Sequence, residues 1–443
     1  MPNYIRRAKD GGGGVVGKAA TVPETGEGYQ GAAAVHSGAV DDKAPPALHL
    51  GRHHWTYGVV LGLGFIGLTA TAPIYNTYVP LLLHNAGLSA ALVAFVMTWN
   101  NWLALFIPAW AGSRSDHTWT RLGRRRPWIL AGAPVGVVAF ALIPVMPALA
   151  GLLGVILINN AAQGLIRAPG LALLGDQFDP GERSKASGVI NLMGGLGAVI
   201  ALVGSSYVYR MGPSWPFWLG AGLMLASSLV LIVAVREHRE WGTVSTIRDS
   251  AWRRLRAMLT GADRPAARLL LATFCTFSAF SILEKWISSF AFLSLGLEAG
   301  RVPLILAVFA GFLLVGAIPA GFLGAAIGQR RTMGIGIALL TVLFSAGLFV
   351  TTPAMLILLL APAGFAWALV ISNIFPLLYA VAGDGSMGLF TGLYYTVSSL
   401  AAIIGPQAVG LLLDATGQNY RVMWLLAAVL MGIGGVLAAG GET

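Results

Sequence analysis

Twelve long apolar runs follow one another along the chain, and they limit its possible folds more than any other feature of the sequence. Most contain 20 to 28 residues, a length that crosses about 30 Å of hydrocarbon when the segment is helical. Backbone hydrogen bonds in hydrocarbon must be satisfied within the segment, so these runs predict α-helices. The predicted spans lie near residues 55–80, 88–113, 127–147, 150–175, 185–209, 215–236, 266–293, 301–325, 332–350, 353–380, 386–412 and 420–440. We therefore expect an all-α membrane protein with twelve transmembrane helices.

The composition agrees with a lipid environment. Charged residues make up 10% of the sequence, against about a quarter in soluble proteins, and the mean hydropathy is +0.74. Two Gly-rich runs within the predicted spans, "LGLGFIG" and "LMGGLGA", are expected to let helices approach closely.

The distribution of Lys and Arg predicts the orientation of the spans. Three of the 28 basic residues fall in loops of one side, Arg210, Arg301 and Arg421, and two fall within spans, Arg167 and Lys285. The remaining 23 fall on the other side, together with both termini. Because basic loops stay in the cytoplasm, we expect a multi-pass protein of the cell (inner) membrane with cytoplasmic N- and C-termini. The bilayer then accounts for the net charge of +10, and no nucleic-acid partner is expected.

Four segments are predicted along the chain. Residues 1–53 are rich in Gly and Ala and predict a disordered cytoplasmic tail, 54–236 a first six-helix bundle, 237–265 a cytoplasmic linker, and 266–443 a second six-helix bundle. Apolar residues at helical spacing in the linker, with arginines mostly between them, indicate an amphipathic helix on the inner leaflet. A solvated linker is the alternative.

The two halves also resemble each other. The segment "PAWAGSRSDHTWTRLGRRRPWI" from Pro108 and the segment "PAGFLGAAIGQRRTM" from Pro319 share Pro-Ala, a following Gly, and a later Gly with paired Arg. Matching elements six spans apart predict two pseudo-symmetric bundles related by an axis along the membrane normal, with a site between them at mid-depth.

Several classes of function are not supported by the motifs present. The stretch "GGGGVVGKAA" matches two nucleotide-binding patterns, but it lacks a preceding strand and a following helix, and Ala19 stands where a P-loop needs Ser or Thr. The seven histidines lie in the tail, at span ends or in loops, which argues against a metal site. No nucleophile, base and orienting group can be assembled within the spans, so we expect neither an enzyme nor a cofactor.

Longer blocks of sequence resemble a known family. The segment "GSRSDHTWTRLGRRRPWI" resembles the signature loop of the major facilitator superfamily, in the form found in its sucrose-type and glycoside-pentoside-hexuronide cation symporter branch. "YNTYVPLLL", "RAPGLALLGDQFDPGERSKASGVINLMGGLGA" and "GLFTGLYYTVSSLAAIIGPQAVGLLLD" are similar to further blocks of that branch. The resemblance covers all twelve spans and implies the major facilitator fold, with a sugar or glycoside as solute and a proton, or sodium, as coupling ion.

Charged residues beside the signature loop predict a cytoplasmic gate. Asp116 ends a span with Arg121, Arg124 and Arg125 close behind it, so charge-assisted hydrogen bonds can hold helix ends together. Asp176 and Arg183 around the next inner loop predict a second such lock. Arg126 fits a gate or a topological anchor equally well, and the arginines as a group could serve topology alone.

Polar residues within the spans are candidates for the transport site because they are costly in lipid. In the fourth span Asn160, Gln163 and Arg167 share one helical face, which suits hydroxylated or anionic solutes; a structural pair with a carboxylate from another helix is the alternative. In the second span the resemblance places Asn100 where many relatives have an acid that takes part in ion coupling, and Asn cannot titrate. Asn100 and Asn101 then bind solute or join helices.

Other polar and aromatic side chains are candidates for lining a cavity. They include Asn76, Asn373, Tyr394 and Tyr395, with Trp99, Trp102, Trp286 and Trp367 as possible stacking surfaces for sugar rings. Packing is the alternative role for each of them.

Glu284 and Lys285 lie together in the seventh span. They flank a stripe formed by Ser281 and Ser288, so they border one polar face without pointing at the same spot. Of the eighteen acids, Glu284 is the one placed deep within a span, and it is our candidate for carrying a proton across the membrane. A structural ion pair is the alternative.

These features predict a secondary transporter that works by alternating access, as a monomer in the lipid bilayer. The function expected from the resemblance is proton-coupled symport of a sugar or glycoside. A proton-antiport exporter of a drug-like or natural product, or a membrane sensor or assembly protein of the same fold, are the alternatives.

Overall fold

The computed structural model describes residues 52–107, 110–111, 114–115, 119–120, 122–123, 125–177, 183–234, 264–382 and 387–439, all within one compact unit, Leu48–Thr443. The described part of the first half forms α1 (Arg52–Asn85), α2 (Ala90–Met97), α3 (Trp99–Ala104), α4 (Arg126–Leu142), α5 (Leu149–Gln177), α6 (Arg183–Tyr209) and α7 (Trp215–Ala234). The described part of the second half forms α8 (Arg264–Ser289), α9 (Val302–Ile327), α10 (Gln329–Gly347), α11 (Pro353–Ala382), α12 (Met387–Ala415) and α13 (Arg421–Ala439).

These helices confirm the all-α membrane fold with twelve spans. Nine helices in the described ranges are long and apolar enough to cross a membrane, and α2 and α3 together form a shorter apolar segment, Ala90–Ala104. The second span is divided at Thr98, whose hydroxyl donates to the carbonyl of Phe95 at 2.9 Å and competes with the helical ladder. The boundaries predicted for the tail, linker and bundles stay a prediction.

The two halves are built on the same packing plan. In the first half α1 packs against α6 and α7, and α4 packs against α5 and α7. In the second half α8 packs against α12 and α13, and α10 packs against α11 and α13. Helices in equivalent positions thus have equivalent neighbours, and the molecule consists of two pseudo-symmetric six-helix bundles.

The glycine-rich runs lie at close helix contacts within the first half, as predicted. A Cβ at Gly67 of α1 would lie 1.9 Å from the carbonyl oxygen of Leu223 in α7, and a Cβ at Gly197 of α6 would lie 2.4 Å from that of Ile66 in α1. Only a residue without a side chain fits at either point.

Consecutive helices alternate in direction, so six short loops lie at one face of the molecule, here called the short-loop face. They are residues 86–89, 146–148, 210–214, 295–301, 348–352 and 416–420. The last of these loops is anchored by Tyr420, which is 5% exposed and packs beside Trp286 and Phe290. Burial raises the pKa of Tyr420 to about 12, so its hydroxyl stays neutral at physiological pH.

Candidate functional site

A polar bridge joins α1 of the first half to α8 of the second half. The amide nitrogen of Asn76 donates to Glu284 Oε1 at 2.8 Å, and the amide oxygen of Asn76 accepts from Lys285 Nζ at 2.8 Å. The hydroxyl of Ser288 donates to the backbone carbonyl of Asn76 at 3.1 Å. We call this set of four residues the Asn76 bridge.

The bridge explains how the neighbouring charged residues Glu284 and Lys285 are both accommodated. Each charged side chain bonds one end of a single amide group, as expected for residues that point to either side of the Ser281–Ser288 stripe. Their surroundings differ, because Lys285 is 4% exposed whereas Glu284 is exposed. An exposed carboxylate at this depth of α8 faces the space between the halves, since its partner Asn76 belongs to the opposite half.

A second contact between the halves joins α12 to the start of α2. The two carboxylate oxygens of Asp414 accept from the backbone N–H groups of Ala90 and Ala91, at 2.8 and 2.9 Å. These are free N–H groups of the first helical turn, and a carboxylate also interacts favourably with the positive end of the helix dipole. Ser89 occupies the usual capping position, at 3.4 Å from the N–H of Leu92. We call this contact the Asp414 cap.

The packing around the Asp414 cap is close. A Cβ at Gly410, one turn before Asp414, would lie 2.9 Å from the carbonyl oxygen of Ala90 and 3.0 Å from the Cβ of Ala94. The amide of Gln407 donates to the carbonyl of Ala91 at 3.2 Å. The absence of a side chain at Gly410 therefore allows α12 to lie directly on α2.

A third contact lies between α6 and the loop 295–301 that precedes α9. The hydroxyl of Ser206 donates to the carbonyl of Gly300, and the ring of Tyr209 covers the same glycine. This contact and the Asp414 cap lie at the short-loop face, and the Asn76 bridge lies on the same side, about 14 Å further into the helices. The structure is therefore closed at that face.

Aromatic side chains of α8 lie beneath the Asn76 bridge. Phe277 and Phe280 are half-buried, and they lie seven and four residues before Glu284 on nearly the same face of the helix. Phe280 is stacked on Trp367 of α11, with ring centroids 4.1 Å apart and ring planes 1° apart, and Trp367 is 2% exposed. Phe309 of α9 also packs beside Phe280, with ring centroids 6.0 Å apart and ring planes tilted by 34°.

The aromatic surface continues onto α11 and α12. Tyr394 is buried against Phe277 and Phe375, with centroid distances of 5.6 and 4.3 Å. Tyr395 is 52% exposed and lies on the same face of α12 as Ala402, whose carbonyl accepts from Asn101 of the first half. The exposed ring of Tyr395 thus points toward the first half, about 10 Å further from the short-loop face than that contact.

The family of the chain follows from its match to a family model. The model described as "Major Facilitator Superfamily" matches residues 59–313 and 269–440, which together include both six-helix bundles. The chain belongs to the Major Facilitator Superfamily. A comparison with curated protein sequences found no match.

Solved structures of this superfamily share the fold at low sequence identity. The nucleoside transporter NupG is 15% identical with a TM-score of 0.68, over 86% of this chain and 98% of that chain. A bacterial homolog to the human lysosomal transporter Spinster, in inward-facing unoccupied and occupied structures, is 13% identical with a TM-score of 0.70, over 88% of this chain and 97% of that chain. Both similarities concern the fold. Membership of the superfamily makes the chain a membrane transporter.

Two of the three residues on the predicted polar face of α5 make contacts inside the first bundle. The amide of Asn160, which is 5% exposed, donates to the hydroxyl of Tyr75 at 3.3 Å. The amide of Gln163 donates to the hydroxyl of Thr71 at 3.1 Å. Both contacts are to α1, so these amides hold helices together, whereas Arg167 further along the face is exposed.

Of the other predicted amide side chains, some lie at the space between the two halves and one lies inside the second bundle. Asn101 donates to Ala402 at 3.5 Å, and Asn100 is half-buried with an Oδ1 atom that has no hydrogen-bond partner in the described part of the chain. Asn373 is 2% exposed and donates to the carbonyls of Leu369 and Ala320, at 2.9 and 3.2 Å, so it joins α11 to α9.

The aromatic candidates divide in the same way. Trp286 is 3% exposed and donates to the carbonyl of Pro406 at 3.0 Å, so it packs inside the second bundle. Trp102 is 42% exposed, and Trp99 is half-buried and meets Phe95 edge to face at 6.0 Å.

The predicted cytoplasmic gate is described only in part. Arg125 is 5% exposed and donates to the hydroxyl of Ser115, and Arg126 donates to the carbonyl of Ile232. Asp116, Arg121 and Arg124, and the side chains of Asp176 and Arg183, lie outside the described residues. The gate therefore stays a prediction.

Sequence reasoning did not single out the Asp414 cap. Asp414 lies at the end of a span, and its partners are backbone N–H groups that leave no mark in the sequence. In the described ranges no three His, Cys, Asp or Glu side chains are grouped to hold a metal ion.

Proposed function

We propose that this protein is a proton-coupled symporter of a sugar or glycoside, that it works by alternating access, and that Glu284 carries the proton. Membership of the superfamily supports transport of a small solute, and the Asn76 bridge supports the role of Glu284. The bridge is the observation on which the proposal rests, because it places an ionisable carboxylate in a contact that must break when the short-loop face opens.

The chemistry of the bridge links protonation to closure. With Glu284 ionised and Lys285 charged, the amide of Asn76 makes two charge-assisted hydrogen bonds, which are stronger than neutral ones. Protonation of Glu284 makes one of them neutral and weakens the bridge. Protonation of this one carboxylate can thus couple the proton gradient to opening of the short-loop face.

The proposed solute follows from two features. The resemblance to the sucrose-type and glycoside-pentoside-hexuronide branch favours a sugar or glycoside. The half-exposed rings of Phe277, Phe280 and Phe375 and the exposed ring of Tyr395 provide apolar surfaces on which the C–H face of a sugar ring can stack.

Uptake into vesicles that contain the purified protein tests this function. We expect labelled sugars or glycosides to accumulate when an inward proton gradient is imposed and only to equilibrate when it is absent. Flux that does not depend on sugar, with no effect of the pH gradient, would contradict the symport.

The aromatic surface also favours a second candidate, a proton-antiport exporter of an apolar natural product. In that case an inward proton gradient would drive an apolar dye out of the same vesicles. Movement of the sugar and the proton in the same direction excludes this candidate.

A further inference from the structure

The structure has a stacking surface whose chemistry is narrower than that of a general sugar site. Phe277, Phe280 and Phe375 are hydrocarbon rings without a hydrogen-bonding group, and each keeps part of its surface uncovered. Phe280 is held flat from behind by Trp367, at 4.1 Å with parallel planes. A side chain fixed in this way offers one planar face at little entropic cost, as a preformed stacking site requires.

The position of this surface relative to the Asn76 bridge defines a two-part site. Phe280 lies four residues before Glu284, about 6 Å along the axis of α8 and on the side away from the short-loop face. A molecule that approaches Glu284 along α8 from the side away from the short-loop face therefore meets the ring of Phe280 first. The carboxylate of Glu284 is exposed there and can accept hydrogen bonds from hydroxyl groups.

The supply of polar groups on this wall is small. Between Glu284 and Phe277 the positions of α8 directed toward the gap carry rings, and the polar Ser278 and Ser281 are 1% and 3% exposed. A free sugar can stack one C–H face on such a wall, but each of its hydroxyl groups that is directed at the wall loses its partners at a cost. A solute with a flat apolar ring at one end and hydroxyl groups at the other matches both parts.

We infer that the solute is a glycoside whose aglycone is an aromatic or heteroaromatic ring, that this ring stacks on Phe280, and that the hydroxyl groups lie toward Glu284. Phe280 is then a specificity-determining residue, and Trp367 is a positioning residue that acts through it. The inference rests on the proposed function and adds the chemical class of the solute.

Matched glycosides test this inference on the purified full-length protein. Methyl and phenyl β-glucoside, with the same pair for galactose and xylose, differ only in the aglycone, and affinity is measured by ligand-dependent thermal stabilisation. We expect the phenyl member of at least one pair to bind about fivefold more tightly, since an aromatic stack is worth about 1 kcal/mol. Equal affinity within every pair, or no binding by any of them, would overturn the inference.

Two variants test whether Phe280 causes the preference for phenyl over methyl glycosides. Phe280→Ala, and Phe280→Leu as a variant that keeps the apolar volume, should reduce the preference for the phenyl over the methyl glycoside to less than twofold. Phe349→Ala serves as control, because Phe349 is 73% exposed on loop 348–352, away from this wall. A preference that survives both Phe280 variants would place the ring elsewhere and overturn the inference.

Failure of the inference and failure of the proposed function give different results. Proton-driven accumulation of methyl glycosides and phenyl glycosides alike would keep the symport and remove the ring requirement. Tight binding of the phenyl glycosides that Phe280→Leu abolishes, with no accumulation under any pH gradient, would keep the stacking site and remove the symport.

Discussion

The Asn76 bridge and the Asp414 cap both join the two halves near the short-loop face, but they are built from different groups. The charged bonds of the bridge join side chains, the amide of Asn76 to the carboxylate of Glu284 and to the buried ammonium of Lys285, and Ser288 adds one bond to the backbone carbonyl of Asn76. The cap connects the exposed carboxylate of Asp414 to backbone N–H groups of α2. The strength of the bridge therefore depends on whether Glu284 is protonated from the space between the halves. The cap holds the two halves together at the short-loop face.

Burial makes the bridge the more sensitive of the two contacts. Removing the partner of a buried charge leaves that charge desolvated and unpaired, which costs far more than losing a hydrogen bond at the surface. Variants of the bridge should have larger effects than variants of the cap, and the order of these effects tests the comparison.

The largest effect is expected from Asn76→Leu, which leaves Lys285 buried without its acceptor. We expect a loss of about 2 to 3 kcal/mol in the free energy of unfolding, measured by denaturation of the purified protein. The charges can be checked by a double-mutant cycle. Asn76→Asp keeps an acceptor for Lys285 but replaces the amide that donates to Glu284 with a second carboxylate, so the bond to Glu284 is lost. Adding Glu284→Gln, whose amide can donate to the new carboxylate, should recover much of the loss. Strictly additive effects would show that the bridge is absent.

The next effect is expected from Gly410→Leu, which forces α12 away from α2. A side chain at this position meets backbone atoms of Ala90 at 2.9 Å, so the contact must open, at a cost of about 1 to 3 kcal/mol. Spin labels on the exposed residues Asn85 and Thr416, with Cys275 replaced by Ser, should report a longer distance between the halves. Gly392→Leu on the same helix is the control, because nothing lies within 4 Å of its Cβ position. An equal response of the two variants would refute close packing at Gly410.

These two contacts also show what sequence can and cannot predict. Glu284 and Lys285 were visible because charges within an apolar run are costly and therefore informative. Their joint partner Asn76 was a candidate from the same principle, but the pairing depends on which helices the fold brings together. The role of Asp414 could not be predicted, because a carboxylate at a span end is common and a bond to backbone N–H groups of another helix has no sequence pattern.

The twelve spans and the two-bundle fold were predictable for a physical reason, since lipid permits few alternatives to apolar helices. The sequence predicts that the polar residues of α5 share one face of the helix, but it does not predict what that face contacts. Asn160 and Gln163 bond α1 inside the first bundle, and helical periodicity alone cannot tell a bundle interior from a cavity.

A smaller effect is expected from Asp414→Ala, which removes the cap. The loss should be about 1 kcal/mol, in the range typical of helix N-caps, and Asp414→Asn should lose roughly half as much because its amide oxygen still accepts. The same spin-label pair should report partial opening in the alanine variant. A change as large as that of Asn76→Leu would reverse the ranking of the two contacts.

The smallest effect is expected from Gln407→Leu. It removes one hydrogen bond, from its amide to the carbonyl of Ala91, and leaves the packing at Gly410 intact. We expect a loss of about 0.5 to 1 kcal/mol in unfolding free energy and little change in the spin-label distance. Opening of the short-loop face in this variant would mean that hydrogen bonding, and not close packing, holds α2 and α12 together.

The most direct test of the account is pH-driven accumulation by Glu284→Gln. Glutamine keeps an oxygen that accepts from Asn76 but cannot release a proton, so the variant should fold and still exchange solute downhill while accumulation under a proton gradient is lost. Glu298→Gln is the matched control, because Glu298 is exposed on loop 295–301 and pairs with Arg301; it should accumulate solute like the wild type. Unchanged accumulation by Glu284→Gln would show that Glu284 is a structural member of the bridge and that the proton follows another route.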